Sequence, residues 1–129
     1  MTTVKRSDDV PSERVGAAQG TTRQVLLGPA DGVPHFFLRK YRMDPGAGMP
    51  LHTNTVEHEQ YVLGGRARMR IGDQTHEVKA GDCLYIPAGV PHDYRVVGPD
   101  PFEFLCAVPN AKDEIRMVER ARPPEPGCC

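Results

Sequence analysis

Apolar residues fall along this chain in short runs cut by glycine and proline. Residues 24–28 (QVLLG), 35–43 (HFFLRKYRM), 58–65 (HEQYVLGG) and 67–72 (ARMRIG) each read as strands, as do 75–79 (THEVK), 82–87 (DCLYIP), 92–97 (HDYRVV) and 102–109 (FEFLCAVP). Ala67-Arg68-Met69-Arg70-Ile71 alternates strictly, with Ala, Met and Ile on one face, and Phe102-Glu103-Phe104 repeats the pattern. A period of two is a strand signal, and no stretch sustains a helical period. Gly64-Gly65, Gly72-Asp73, Ala80-Gly81-Asp82 and Gly98-Pro99 supply the turns. Eight short strands at regular spacing predict an all-β sandwich or barrel, for which the jelly roll is a familiar solution. No tandem repeat is present. The organisation expected is a polar, loop-like arm over 1–20, a barrel domain over 21–110, and a closing segment with a Pro-rich tail over 111–129. Ile115, Met117 and Val118 stand among charges in that last segment.

At 129 residues the chain is one domain's worth, and 39% apolar residues suffice for a core. A net charge of −1 leaves no basic excess for a phosphate backbone, so no nucleic acid partner is expected. No apolar stretch approaches the ~20 residues of a membrane span. The polar start after Met1 gives a cytoplasmic location as the default. Cys83 and Cys106 lie inside apolar runs and read as small buried hydrophobes. Cys128 and Cys129 close a PPEPGCC tail that reads as frayed and without a role, although vicinal cysteines could bind a soft metal or be oxidised. No C-x-x-C pair supports a zinc knuckle.

The chemistry concentrates in two segments. His52 and Asn54 are two apart and share a strand face, while His58 shares a face with Gln60 and Val62. His92 ends the run Gly81 to His92. Imidazoles gathered inside a β-barrel would make a nitrogen-rich site for Mn, Fe, Co, Ni, Cu or Zn. His35 and His76 read as ordinary polar strand residues.

These two segments resemble the paired signatures of the cupin superfamily. The first, G-x5-H-x-H-x3–4-E-x6-G, is matched by Gly46, His52 and Gly65, with Asn54 at the second His position and His58 at the Glu position. The second, G-x5-P-x-G-x2-H-x3-N, is matched by Gly81, Pro87, Gly89 and His92, with Val96 at the final Asn. Fifteen residues separate Gly65 from Gly81, as in small single-domain bacterial cupins. Within that superfamily the chain is similar to the manganese cupins with four histidines. The resemblance implies a double-stranded β-helix, or jelly roll, holding one divalent transition metal on His52, Asn54, His58 and His92. Mn or Fe is favoured, because an Asn carbonyl is a harder donor than imidazole; Zn, Ni, Cu and Co are possible. Asn54 could ligate directly, hold a bound water, or leave a position open. Glu59 as third ligand would put Gly65 one residue short and would share the outward face with Glu57, so it is set aside.

Parity and resemblance together give a substrate pocket of Arg39, Gln60, Tyr94, Phe104 and Cys106. An inward Arg39 could clamp a carboxylate; an outward one would be a solvated charge. The activity the resemblance implies is that of a small metal-dependent oxidoreductase, dioxygenase-like or peroxide-using, acting on a small organic substrate. A redox-neutral isomerase or lyase on a sugar acid or keto acid, or a non-enzymatic binding barrel, would use the same fold. A homodimer is expected from the resemblance.

Overall fold

The computed structural model describes residues 2–118, so Cys128, Cys129 and the rest of the Pro-rich tail lie outside the described residues. Short 3-10 turns stand at Ser7–Asp9 and Pro29–Asp31. The strands are β1 (Glu13–Arg14), β2 (Gln19–Leu27), β3 (Phe36–Asn54), β4 (His58–Gly64), β5 (Arg66–Ile71), β6 (Gln74–Lys79), β7 (Cys83–Ile86), β8 (His92–Val97), β9 (Phe102–Pro109) and β10 (Ile115–Met117). All pairings are antiparallel, and the path through the sheet runs β6-β5-β8-β3-β9-β4-β7. Strand β2 lies along β3 and carries β1, and β10 also pairs with β3. No helix among the described residues is long and apolar enough to cross a membrane.

Strand β3 joins the two walls. Its first part, Phe36 to Met43, pairs with β9; its second, Gly48 to His52, pairs with β8. The sequence divided this strand, because Pro45-Gly46-Ala47-Gly48 reads as a break. The chain instead turns a corner there without leaving the sheet. Gly46 takes a left-handed φ of 80°, which a glycine adopts without steric cost. Gly48 lies so close to the Tyr94 carbonyl that a Cβ would collide with it. Glycine at such positions marks a bend and a close backbone approach rather than a strand end.

The alternation seen in the sequence carries the core. Burial alternates along the whole of β8 and β9 and along β4 up to Leu63. Ala67 and Met69 are fully buried, as are Phe102, Phe104 and Cys106 within 1%. Three expectations need correction. Cys83 is exposed, because it faces outward opposite Tyr61 on β4. The polar segment before residue 20 is not all loop, since β1 and the start of β2 lie in it and Ala18 is buried. There are ten strands rather than eight, the added ones being the short pieces β1 and β10. Both are too short and too charged to show alternation.

Two glycines of the first motif separate backbone strain from steric contact. Gly46 has open space where a Cβ would go, whereas at Gly65, with φ 75°, a Cβ would run into the Pro101 carbonyl. Gly46→Ala is expected to cost ~1–2 kcal/mol, the left-handed penalty alone. Gly65→Ala should exceed it by at least ~1 kcal/mol, through overpacking against backbone. Urea unfolding of the two variants reads the difference, and equal costs would contradict the contact.

Candidate metal and substrate site

The inward set of β3 changes parity just before the site. Met43, Ala47, Met49 and Leu51 are buried at odd positions, and His52 and Asn54 at even ones. The register with β8 shows why: from Met49 to His52 is three steps, against two from Tyr94 to His92. The extra residue is a β-bulge at Pro50 and Leu51. Pro50 cannot donate to a ladder, so a bulge suits it. Its carbonyl accepts the His52 Nδ1–H at 2.8 Å.

His92 opens β8 in register with His52, their ring centroids 4.2 Å apart and tilted by 54°. Its Nδ1–H donates to the Val90 carbonyl at 3.0 Å. A carbonyl only accepts, so both rings are fixed in the tautomer that turns a bare Nε2 away from the backbone. His58 reaches the same space from the other wall, at the start of β4, with its ring 5.9 Å from that of His92. Its Nδ1 lies 3.3 Å from Cys106 Sγ. Asn54 is oriented by a residue that no motif indicated. Its Nδ2 donates to Asp113 Oδ2 at 2.9 Å, and the Thr55 backbone N–H donates to Asp113 Oδ1 at 3.1 Å. A carboxylate accepts only, so the Asn54 amine must face Asp113 and its carbonyl must face away. In consequence His92 Nε2 and Asn54 Oδ1 are buried with no hydrogen-bond partner, and His58 Nε2 is buried without one as well. Unpaired buried polar atoms are costly and rare, and three in one place point to a ligand.

The electrostatics keep the imidazoles neutral. Burial depresses the pKa of His58 to about 3, with the Arg39 charge adding to the effect. Burial likewise depresses His92 to about 4, helped by His52. His52 is lowered by burial, against its bond to Pro50. Neutral imidazole is the form that binds a metal. The donor chemistry, imidazole nitrogens and an amide oxygen without partners, therefore fits a divalent transition metal. Among the described residues, however, no three His, Cys, Asp or Glu side chains are gathered into a ready metal cluster. The three histidines and Asn54 face one another across a cavity, His52 and His92 as strand neighbours and His58 from the other wall, rather than forming a closed shell.

That cavity has a volume of about 220 Å³ and is lined by His52, Asn54, His58 and His92 together with Arg39, Gln60, Tyr94 and Phe104. Cys106 lies behind this lining, against His58, Gln60 and Arg39. Gln60 Nε2 donates to Tyr94 Oη at 2.6 Å. Phe104 is stacked between Tyr41 and Tyr94, at 5.1 and 5.4 Å and within 7° of parallel to each. The wall residues that sequence reasoning missed include Arg23, Tyr41, Met49, Asp113 and Ile115. Tyr41 was legible from parity, two residues from Arg39; Asp113 carried no signal, because it reaches the site only through the β10–β3 pairing. Glu57 and Glu59 are exposed on the outer face, as are His35 and His76. A larger open groove of about 620 Å³ runs outside along Gly46 to Leu51, but it holds no His or Cys.

Two measurements follow. In metal-free protein the unfolded chain takes up protons on its histidines below about pH 6.5, while folded His58 and His92 resist protonation down to about 3 and 4. Their contribution is therefore fully present above pH 6.5 and falls with acidification through that window, by on the order of 1.4 kcal/mol per group per pKa unit. Urea midpoints taken from pH 7 to pH 4 should decline, and His58→Gln or His92→Gln should flatten the slope. Asp113→Ala strips the acceptor from Asn54 Nδ2 and Thr55 N–H and is expected to cost ~1–3 kcal/mol; a cost near zero would show that the carboxylate does not orient Asn54.

Residues 39–108 match the Cupin_2 cupin-domain family. An uncharacterized protein of Methanocaldococcus jannaschii is 39% identical over 77 residues, which are 57% of this chain and 62% of that protein. The chain thus spans less than two thirds of that relative's length. Among solved structures, the polyketide cyclase RemF from Streptomyces resistomycificus superposes with a TM-score of 0.86 at 30% identity, covering 96% of this chain and 90% of that one. A cupin-2 domain protein of Rhodospirillum rubrum superposes at 0.78 with 25% identity, covering 94% and 83%. The family match runs over the strands that carry His52, Asn54, His58 and His92, and the chain belongs to the cupin superfamily as a small jelly-roll cupin.

Proposed function

We propose that this cupin is a metal-assisted, redox-neutral enzyme that enolises a β-carbonyl substrate and promotes its ring closure. The observation that carries the reading is the set of buried polar atoms without partners, His58 Nε2, His92 Nε2 and Asn54 Oδ1, on the wall of one cavity. The near full-length likeness to a polyketide cyclase supports this reaction class over the oxidative one.

His52, Asn54, His58 and His92 would hold one divalent transition metal, Mn or Fe foremost. When bound, such an ion supplies Lewis acidity toward a carbonyl oxygen. The chain's own residues do the rest. Backbone acceptors hold His52 and His92 in the required tautomer. Tyr94 is buried and its pKa is raised by that burial, so it keeps its proton at neutral pH. Because its oxygen accepts from Gln60, its O–H is free to donate to a substrate oxygen. The Tyr41–Phe104–Tyr94 stack makes one rigid side of the cavity and excludes water from it. In an aldol-type closure the carbon between two carbonyls gives up two protons and bonds to a further carbonyl carbon, and those protons leave with that carbonyl's oxygen as water. No electrons are exchanged with an outside acceptor. At about 220 Å³ the cavity lies below the ~300–1,000 Å³ of drug-sized pockets. It suits a small substrate or the reacting end of a longer one.

The dioxygenase-like reading uses the same donors and differs in needing O2 or peroxide. The homodimer belongs with these proposals; exposed Phe36, Tyr61, Leu63 and Tyr85 on the outer face support it. The test is elemental analysis of tag-free protein beside His52→Ala and Asn54→Ala, followed by turnover of a linear triketone with and without O2. We expect about one metal per chain, lost in His52→Ala, and formation of a cyclised, dehydrated product under nitrogen. Absence of stoichiometric metal, or a strict O2 requirement, would overturn the reading.

A further inference from the structure

Two arginines line the cavity, Arg23 and Arg39, and the reaction uses neither; Arg39 is the one without a carboxylate partner among the described residues. It stands at an inward position of β3, in register with Cys106 on β9, which is itself in register with Gln60 on β4. Its guanidinium carbon lies 5.4 Å over the Tyr41 ring, and its Nη2 is 3.9 Å from Cys106 Sγ. Its Nε is buried without any partner. Among the described residues no carboxylate pairs with it. The other arginine on the lining, Arg23, is held by Glu13 through Nε at 2.9 Å and Nη2 at 2.7 Å. The cavity's carboxylate, Asp113, is already engaged by Asn54 and Thr55. A half-buried cation with a ring and a thiol for company is poorly compensated, since neither carries a negative charge.

We propose that Arg39 is an anion subsite, and that the substrate enters as a free acid whose carboxylate docks on this guanidinium. A planar guanidinium fork is shaped for carboxylate. With the acid end anchored on the β3–β9–β4 row, the next carbonyls of a β-keto acid extend toward the histidines that open β4 and β8. The substrate class is thus a β-keto acid, as opposed to its ester or amide. This deepens the reading above and rests on it, but its test does not need a metal.

The experiment is isothermal titration of the full chain after chelator treatment, with acetoacetate and with its neutral methyl ester. Acetoacetate is expected to bind at least ~10-fold more tightly than the ester, a difference of ~1.4 kcal/mol. Arg39→Gln should abolish that preference, Arg39→Lys should keep part of it, and Arg23→Gln should keep all of it. Thermal melts establish that each variant is folded, and Arg39→Lys carries the test should Arg39→Gln fail to fold. Equal binding of the two probes, no binding of either, or an unchanged preference in the folded Arg39 variants would overturn the anion subsite. Because the protein is metal-free, a chain that binds acetoacetate through Arg39 yet never turns over a triketone overturns the proposed reaction alone.

Discussion

One extra residue in β3 decides what the barrel encloses. A strand shows alternate side chains to alternate faces, so a strand that buries Met43, Ala47 and Met49 would turn its even positions outward. The bulge at Pro50 and Leu51 reverses that parity within two residues. Before it, β3 contributes apolar core; after it, the strand contributes His52 and Asn54. The Pro50 carbonyl, within the same bulge, accepts the His52 Nδ1–H. Placement and tautomer of the same ring therefore come from one local irregularity. The corner at Gly46 and Gly48 lets this strand serve both walls.

The interior is arranged so that positive charge resides at one end only. Burial holds His52, His58 and His92 neutral, and the fixed Arg39 charge pushes His58 further in the same direction. Protonating any of the three would place a second cation in a small cavity that already has one without a counterion. That arrangement leaves lone pairs at the histidine end and an uncompensated cation at the other. A ligand with an anionic group and a polarisable oxygen would satisfy both ends, whereas a neutral apolar molecule would satisfy neither.

Much of this was legible in the sequence, for a physical reason. Period-two alternation survives in burial along β4, β8 and β9, so the shared faces of His58 and Gln60, His92 and Tyr94, and Phe104 and Cys106 could be read from parity, and the resemblance said which of them point inward. Motif spacing tied His52, Asn54, His58 and His92 together, and the structure brings them to one cavity. What could not be read were features with no periodic signature. A bulge changes facing without changing composition, so the register of β3 was invisible. Pro45 to Gly48 signalled a break because local propensity cannot distinguish a corner from an end. Cys83 looked like core because its run is apolar, but β7 is an outer strand whose alternate residues face away.

Asn54 and Asp113 connect the least legible part of the chain to the most legible. A histidine in a barrel can be fixed by a backbone carbonyl, as His52 and His92 are. An asparagine cannot be fixed that way alone, because its amide presents a donor and an acceptor that exchange places on a flip. Only an acceptor without donors leaves the carbonyl oxygen unambiguously in the cavity, and the Asp113 carboxylate is such a group. It is brought there by β10, which pairs Ile115 with Asn54 and Met117 with His52. The family match ends at residue 108, before this segment begins. The barrel strands within the family match thus place Asn54, but the pairing of β10 that covers this edge of β3 is also what aims its oxygen. Covering the site and orienting one of its four donors are therefore a single structural event.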